Sequence, residues 1–503
     1  MLMFSLVFVV IGVSYSLADV ASSVSGLQEL MKTEKALIKH LERYLNFQEV
    51  EVEFLERKVQ QLKSEHKKYE EDKNKYLDNP INQFRLIRRL TSEWSKWEKY
   101  LSEEVGDVFL KKTSVLKQNY LFPEYPKDLN DAVSGIRRLQ DTYKLNIKSF
   151  ANGEIDGTQY DSKLSSEDCV DIGLVLVLTG NIHLSDVWFE VSIDKFIDHP
   201  ENKIIGHTIE RCYQFAILSK SLQDDLEGAV SIADTLLAIN PSLTEVVESR
   251  EDYIKQIGEL KKKGVPLQKR SSPIKPSTFL KYEAGCRGEY PAKSTKLNCF
   301  LNLKNMTPFK VEQVHSNPEI VIVHDFISDT EIEILKSIAK PLLTRATIFN
   351  VDKRAGIAGN DRTSQYAWFE ENDHSLIPIL NRRIGGMTEL SMRFAEKIQV
   401  MNYGLGGHYS THYDYFDPPR NKESFKNLQY EFGNRIATVL VYMNDIEQGG
   451  STVFPELQIA VQPEKGSAVF WYNLKTNGDG DTRTLHAACP VLYGSKWGNI
   501  AFD

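Results

Sequence analysis

Residues 399–416 read QVMNYGLGGHYSTHYDYF and residues 484–497 read TLHAACPVLYGSKW. His412 and Asp414 stand two apart, so on a strand the imidazole and the carboxylate point to the same face. His486 can join them from a distant strand of the same barrel. Two imidazoles and one carboxylate occupy one face of an octahedral Fe(II) and leave three positions open, which a chelating cosubstrate and dioxygen need. Lys496, ten residues beyond His486, can pair with the anionic tail of that cosubstrate. A His-x-Asp pair is weak by itself in a chain with eleven His, and a lone histidine such as His486 is more often structural. His408 is a rival ligand with no support from its spacing. The signal lies in the order Tyr403, His412, Asp414, His486, Lys496, all on strand-like segments.

Short apolar runs lie within and around both stretches: Glu319–Val323, Ile398–Tyr403, Ile436–Met443, Ser467–Tyr472 and Ala487–Leu492. Gly449-Gly450 and Asn477-Gly478 mark turns between them, and Ser328-Asp-Thr-Glu331 is a capping box opening a helix. Such a pattern predicts a sandwich or jelly-roll barrel over residues 281–503. Before it, KKKGVPLQKRSSPIKPS gives residues 257–280 the composition of a linker. Residues 146–256 read as several shorter helices, and AVSIADTLLAINPSLTEVVESREDYIKQI has the form of a tetratricopeptide-type hairpin. Trp188, Phe189 and Tyr213 are candidates either for its core or for a peptide groove. Within residues 19–145, Ile38, Leu41, Leu45, Gln48, Val52, Leu55, Val59 and Leu62 alternate at spacings of three and four. They form a heptad seam on a long helix, which can pack within one chain or between two, and self-association is the expectation.

The 503 residues suit several domains with sizeable cores, since 41% are hydrophobic and 26% charged. A net charge of -8 gives no electrostatic reason to expect nucleic-acid binding. Residues 1–18, MLMFSLVFVVIGVSYSLA, read as a secretory signal peptide ending in the small-x-small site Ser16-Leu17-Ala18. No later run is long enough to span a bilayer; Val170–Leu178 suits a buried helix. In an oxidising compartment Cys286 and Cys299, close in sequence, are the natural local disulfide, and the odd count of five leaves at least one thiol unpaired or bonded to another chain. Asn305-Met306-Thr307 is a glycosylation sequon followed by Pro308.

With these residues in view, the chain resembles the alpha subunit of collagen prolyl 4-hydroxylases, animal Fe(II)/2-oxoglutarate dioxygenases. The most specific stretches are FISDTEIEILKSIAKPLLTRAT, QVMNYGLGGHYSTHYD, GNRIATVLVYMNDIEQGGSTVFPE, KGSAVFWYNL and HAACPVLYGSKW. The resemblance implies a dimerising helical region, a peptide-binding helical-repeat domain and a double-stranded β-helix, in that order. It implies His412, Asp414 and His486 as iron ligands and Lys496 as the partner of the distal carboxylate of 2-oxoglutarate. Tyr403 and Thr438 are implied as further hydroxyl contacts to that carboxylate. Hydroxylation of peptidyl proline at C4 follows, with 2-oxoglutarate and O2 converted to succinate and CO2, and with L-ascorbate keeping the iron reduced. Protein disulfide isomerase is the implied beta subunit of an α2β2 tetramer in the lumen of the endoplasmic reticulum, which fits an NIAFD terminus that is no retention signal.

The sequence departs from that family pattern in places. KWGNIAFD lacks the family's following histidine and later cysteine, so the resemblance leaves Cys489 without its usual mate. Thr484-Leu485 replaces the arginine that commonly precedes the histidine, and the repeat region lacks a dense tyrosine pattern. The missing tail segment motivates a second reading, a peptide-holding alpha-like subunit with weakened or absent turnover.

Overall fold

The computed structural model describes residues 23–45, 52–101, 107–198, 202, 206–264, 266, 276–291, 298–304, 307–350, 355–357, 361–416 and 433–502. The signal stretch 1–18, the seam member Gln48, Asn305 and residues 265 and 267–275 of the 257–280 linker lie outside the described residues.

The long seam is divided between two helices, Val24–Leu45 and Val52–Glu71. Ion pairs join Lys35 to Glu70 and Lys63 to Glu42, so the two run antiparallel within one chain. Ile38, Leu41, Leu55, Val59 and Leu62 are all buried there, beside Phe84 and Ile87 of the helix Pro80–Arg88. The apolar stripe therefore packs against its own continuation, where heptad spacing alone left the partner open. Asn79 starts Pro80–Arg88 by accepting from the Ile81 N–H, with proline in the first helical position, where its missing donor does no harm.

From Ser166 onward five helices run in series, Ser166–Leu178, Ile182–Asp194, Ile209–Leu222, Leu226–Ile239 and Thr244–Lys262, each packed on the next. Side-chain caps at Ser165, Thr208 and Asp225 set three of their starts. In the first of them Val170, Ile172, Val175 and Leu176 are buried while Leu178 is exposed, and no helix among the described residues is long and apolar enough to cross a membrane. Trp188 and Phe189 are core residues here, not groove residues. The last helix runs to Lys262, into the stretch read as linker, and a further helix, Ser277–Cys286, crosses the expected boundary at 280–281.

The C-terminal region is built on two antiparallel sheets. The larger has nine strands in the order Cys299–Lys304, Thr307–Ser316, Glu319–His324, Ala468–Tyr472, Ala437–Tyr442, Lys496–Phe502, Ile398–Tyr403, Gln365–Phe369, Thr344–Arg345. The smaller has Tyr409–His412, His486–Ala488, Thr452–Phe454 and Ile459–Val461. The chain passes between the two sheets repeatedly, as a jelly roll does. Period-two alternation sorts the larger sheet's side chains. Val400, Val439 and Val441 pack in the cluster that holds the helices Asp329–Ala339 and Leu376–Thr388; Met401, Tyr403, Leu440 and Tyr442 face the smaller sheet. The Ser328–Glu331 capping box is formed.

One pairing differs from expectation. Cys286 is bonded to Cys489, not to Cys299, with Cα atoms 5.5 Å apart across 203 residues of sequence. Cys299 is an exposed free thiol, and Cys169 and Cys212 are buried free thiols. Proximity in sequence favoured the short loop, but the fold lays the helix Ser277–Cys286 against Val453 and Ala487 of the smaller sheet and delivers Cys286 to Cys489.

Candidate metal centre

The site is made of two cross-strand pairs on facing sheets. On the smaller sheet His412 lies directly opposite His486. On the larger, Tyr403 lies directly opposite Lys496. Asp414 reaches the same place by a different route from the one its spacing suggested. The strand ends at His412, and a bend beyond it, not the pleat, brings the carboxylate inward.

His412, Asp414 and His486 are the group among the described residues whose donor atoms could hold one metal ion, all lying within 4.8 Å of one another. His412 Nε2 is 3.5 Å from Asp414 Oδ1, and His486 Nε2 is 3.4 Å from Asp414 Oδ2. Octahedral bonds of about 2.1 Å place neighbouring donors about 3 Å apart, so one small cation fits. The tautomers are set as well. His412 Nδ1 faces the Ser410 carbonyl at 2.8 Å and His486 Nδ1 faces the Thr484 carbonyl at 3.0 Å. Each Nδ1 is therefore the N–H donor, and each Nε2 directs a lone pair at the common centre. Burial pushes the His486 imidazole down to about 4, against the pull of Asp414, which keeps it neutral at ordinary pH. Burial would raise the Asp414 carboxyl, but His486 and His412 together hold it far below the usual carboxylate range. Two imidazole nitrogens and one carboxylate are the donor set that hard-to-borderline ferrous iron takes.

Thr438 does not face the cavity. Its hydroxyl donates to Asp414 Oδ2 at 2.8 Å and accepts from Asn473 Nδ2 at 2.8 Å. It orients the carboxylate, which corrects its expected role as a contact to the cosubstrate tail. His408 is buried and bonded to Thr363 Oγ1, away from the ligand group.

A cavity of about 420 Å³ opens over the three donors and is lined by Tyr403 and Lys496. Lys496 is 2% exposed; its Nζ donates to the Gly450 carbonyl at 2.7 Å and stands 5.7 Å and 5.4 Å from the Tyr403 and Tyr442 rings. No carboxylate pairs with it among the described residues, and burial pushes the amine down to about 7. Gly450 follows Gly449, both at positive φ, so the turn that aims this carbonyl suits glycine. The cavity also holds Arg362, which the sequence reading passed over. Its guanidinium lies against the Tyr409 and Tyr366 rings at 4.9 Å and 5.4 Å and donates to Gln399 Oε1 at 2.6 Å. Tyr409 in turn stacks on His412, centroid to centroid 3.5 Å. Tyr409 sits inside the quoted stretch; Arg362 carries no pattern that would have singled it out. A larger cavity, about 600 Å³, lies in the helical half, but its cations and carboxylates are largely paired with one another, as in Lys58–Glu93 and Arg88–Asp168.

Comparison with known proteins agrees with both halves of this description. The family described as prolyl 4-hydroxylase alpha-subunit, N-terminal region, matches residues 23–157, and the 2OG-Fe(II) oxygenase superfamily matches residues 398–502. Prolyl 4-hydroxylase subunit alpha-1 of Homo sapiens is 34% identical over 498 residues, covering 95% of this chain and 92% of that protein. Subunit alpha-1 of Caenorhabditis elegans is 34% identical over 504 residues, covering 96% and 88%. Subunit alpha-2 of Gallus gallus is 32% identical over 506 residues, covering 95% and 92%. The C-terminal region is thus a 2-oxoglutarate- and Fe(II)-dependent dioxygenase domain. The chain belongs to the prolyl 4-hydroxylase alpha subunit family.

Proposed function

We propose that this chain hydroxylates peptidyl proline to 4-hydroxyproline, consuming 2-oxoglutarate and O2 and releasing succinate and CO2. The observation that carries the reading is the convergence of His412, Asp414 and His486 beneath a cavity also lined by Lys496, a buried lysine with no carboxylate partner among the described residues. Fe(II), bound by those three side chains, would supply the activation of dioxygen against the 2-oxo acid. Lys496 receives the distal carboxylate as a desolvated, charge-assisted pair, with Tyr403 beside it. The stack of Arg362, Tyr409 and His412 forms an aromatic and cationic wall against which a prolyl ring can lie. The buried, aromatic lining keeps bulk water from the reacting centre.

L-ascorbate as reductant, a proline-rich collagen-like polypeptide as substrate and a protein disulfide isomerase beta subunit in an α2β2 tetramer belong to the same proposal. So does residence in the lumen of the endoplasmic reticulum. Family membership supports the subunit reading, and the hydrophobic first eighteen residues support entry to the secretory pathway. The five consecutive helices, with their tetratricopeptide-like hairpin sequence, are the segment proposed to hold the peptide.

The test is succinate release from the co-expressed chain with a Pro-Pro-Gly repeat peptide, Fe(II) and ascorbate. Peptide-dependent succinate is expected, and His412→Ala should remove it while leaving the helical signal in circular dichroism intact. Iron binding without any peptide-dependent turnover would overturn the reading in favour of a peptide-holding subunit.

A further inference from the structure

The helix Lys127–Tyr143 belongs to the helical half, yet its C-terminal part reaches both segments that carry the imidazoles. On one side it meets the turn Gly404–Gly407, between Tyr403 and the His412 strand. Gly135 and Gly406 meet backbone to backbone: a Cβ on Gly135 would stand 2.7 Å from the Leu405 carbonyl, and one on Gly406, at φ +56°, would stand 2.5 Å from the Gly135 carbonyl. Arg138 Nε donates to the Gly406 carbonyl at 3.0 Å. On the other side the Tyr143 hydroxyl donates to the Pro490 carbonyl at 2.6 Å, just past His486 and Cys489. That carbonyl also accepts from Gly450 N–H at 3.1 Å, and it is Gly450 whose own carbonyl holds Lys496. The two braced segments are bonded to each other as well, Val491 N–H to the Gly407 carbonyl at 3.1 Å.

We propose that this helix is a brace for the dioxygenase site, with Arg138 and Tyr143 as positioning residues that set the spacing of the His412 strand, the His486 strand and Lys496. Every one of these contacts falls on main-chain carbonyls, where a hydrogen bond controls the path of the backbone and not one rotamer. A second contact from the helical half acts in the same sense: Asn402 accepts from Val24 N–H at 3.0 Å and donates to the Lys496 carbonyl at 3.3 Å. The helical half therefore serves the chemistry as well as any role in assembly. The inference rests on the assignment of His412, His486 and Lys496 made above.

The experiment titrates 2-oxoglutarate anaerobically into the Fe(II)-loaded full chain, followed by the charge-transfer absorbance of the iron–oxo-acid chelate. Binding of a Pro-Pro-Gly repeat peptide is measured separately. Tyr143→Phe removes one oxygen and keeps the ring; it should weaken 2-oxoglutarate binding by about 3- to 10-fold, the size of one net hydrogen bond, and leave peptide affinity unchanged. Arg138→Ala should do the same, with recovery in Arg138→Lys, which restores a donor. If wild-type chain binds and Tyr143→Phe binds equally well, the brace is refuted, and this holds even where Arg138→Ala fails to fold. If wild-type chain gives no chelate signal, the site assignment itself falls instead.

Discussion

In the helical half, Glu34 is completely enclosed and still ionised, because Arg89 grips it through Nε and Nη2 and His66 lies 3.0 Å away. In the dioxygenase cavity Lys496 is almost as enclosed, and it has the Gly450 carbonyl and two tyrosine rings beside it but no carboxylate among the described residues. The consequences are opposite. Burial would raise the Glu34 carboxyl, but Arg89 and His66 bring it down to about 2, whereas burial alone takes the Lys496 amine down to about 7. A buried charge with its counter-charge in place is a finished structural element. One without it leaves a charge unmet, which suits the role proposed above for Lys496 toward the distal carboxylate of a dicarboxylic acid.

The largest effect that would sharpen this contrast is Arg89→Ala. Leaving Glu34 buried with only His66 beside it should lower stability by about 3–5 kcal/mol in denaturant melts; a loss below about 1 kcal/mol, the range of an exposed pair, would break the comparison. Glu34 adds a sign for pH: with its carboxyl held below the ordinary value of 4.5, its contribution is present above that pH and is lost as pH falls toward 2.

Lys496→Met should act in the reverse direction on stability. The cosubstrate-free chain should become more stable by about 1 kcal/mol or more, since one unit of depressed pKa is worth about that much. Affinity for 2-oxoglutarate should fall by about 10- to 100-fold with the loss of a charge-assisted hydrogen bond. A destabilised variant with intact cosubstrate binding would show that the lysine is structural after all. Thr438→Val, which leaves Asp414 Oδ2 without its donor, should weaken Fe(II) binding by about 10-fold, the lower end of what groups behind a ligand supply; competition with a chelator measures it.

The smallest signal is a fraction of a proton. Lys496 in the folded chain titrates near 7 against an ordinary 10.5, so between those values the unfolded chain holds more protons, and stability rises with pH through that window. Binding a dicarboxylate restores the ammonium, so above pH 7 the complex takes up a proton and affinity falls as pH rises. Calorimetry at pH 8 in two buffers of different ionisation heat reads the uptake directly; none at all would contradict an unpaired lysine.

Much of the site could be read from residue order. His412, His486, Lys496 and Tyr403 all fall on strand-like stretches, and the structure sets them opposite one another in two registered pairs. Strand signals at Ile398–Tyr403 and around Ala437–Tyr442 were legible because a buried strand concentrates apolar and β-branched residues over a short span. Asp414 joins His412 and His486 by a local route other than the expected one, since a bend carries it where a pleat was expected. Thr438 was placed on the cosubstrate, while its hydroxyl serves Asp414. Arg362 went unnoticed because its partners Tyr409, Tyr366 and Gln399 lie on three different strands or strand ends.

By itself the amino-acid order determined which segments become helix or strand and which side chains carry metal-binding chemistry, because periodicity, caps and donor type are properties of neighbours along the chain. The tertiary structure decided what meets across long separations. Cys286 found Cys489 instead of Cys299, the heptad seam closed within one chain, and a helix of the N-terminal half came to rest on the turns beside His412 and His486. Those outcomes depend on how whole surfaces fit, and a disulfide, a buried ion pair or a main-chain hydrogen bond forms only where that fit sets two groups within a few ångströms.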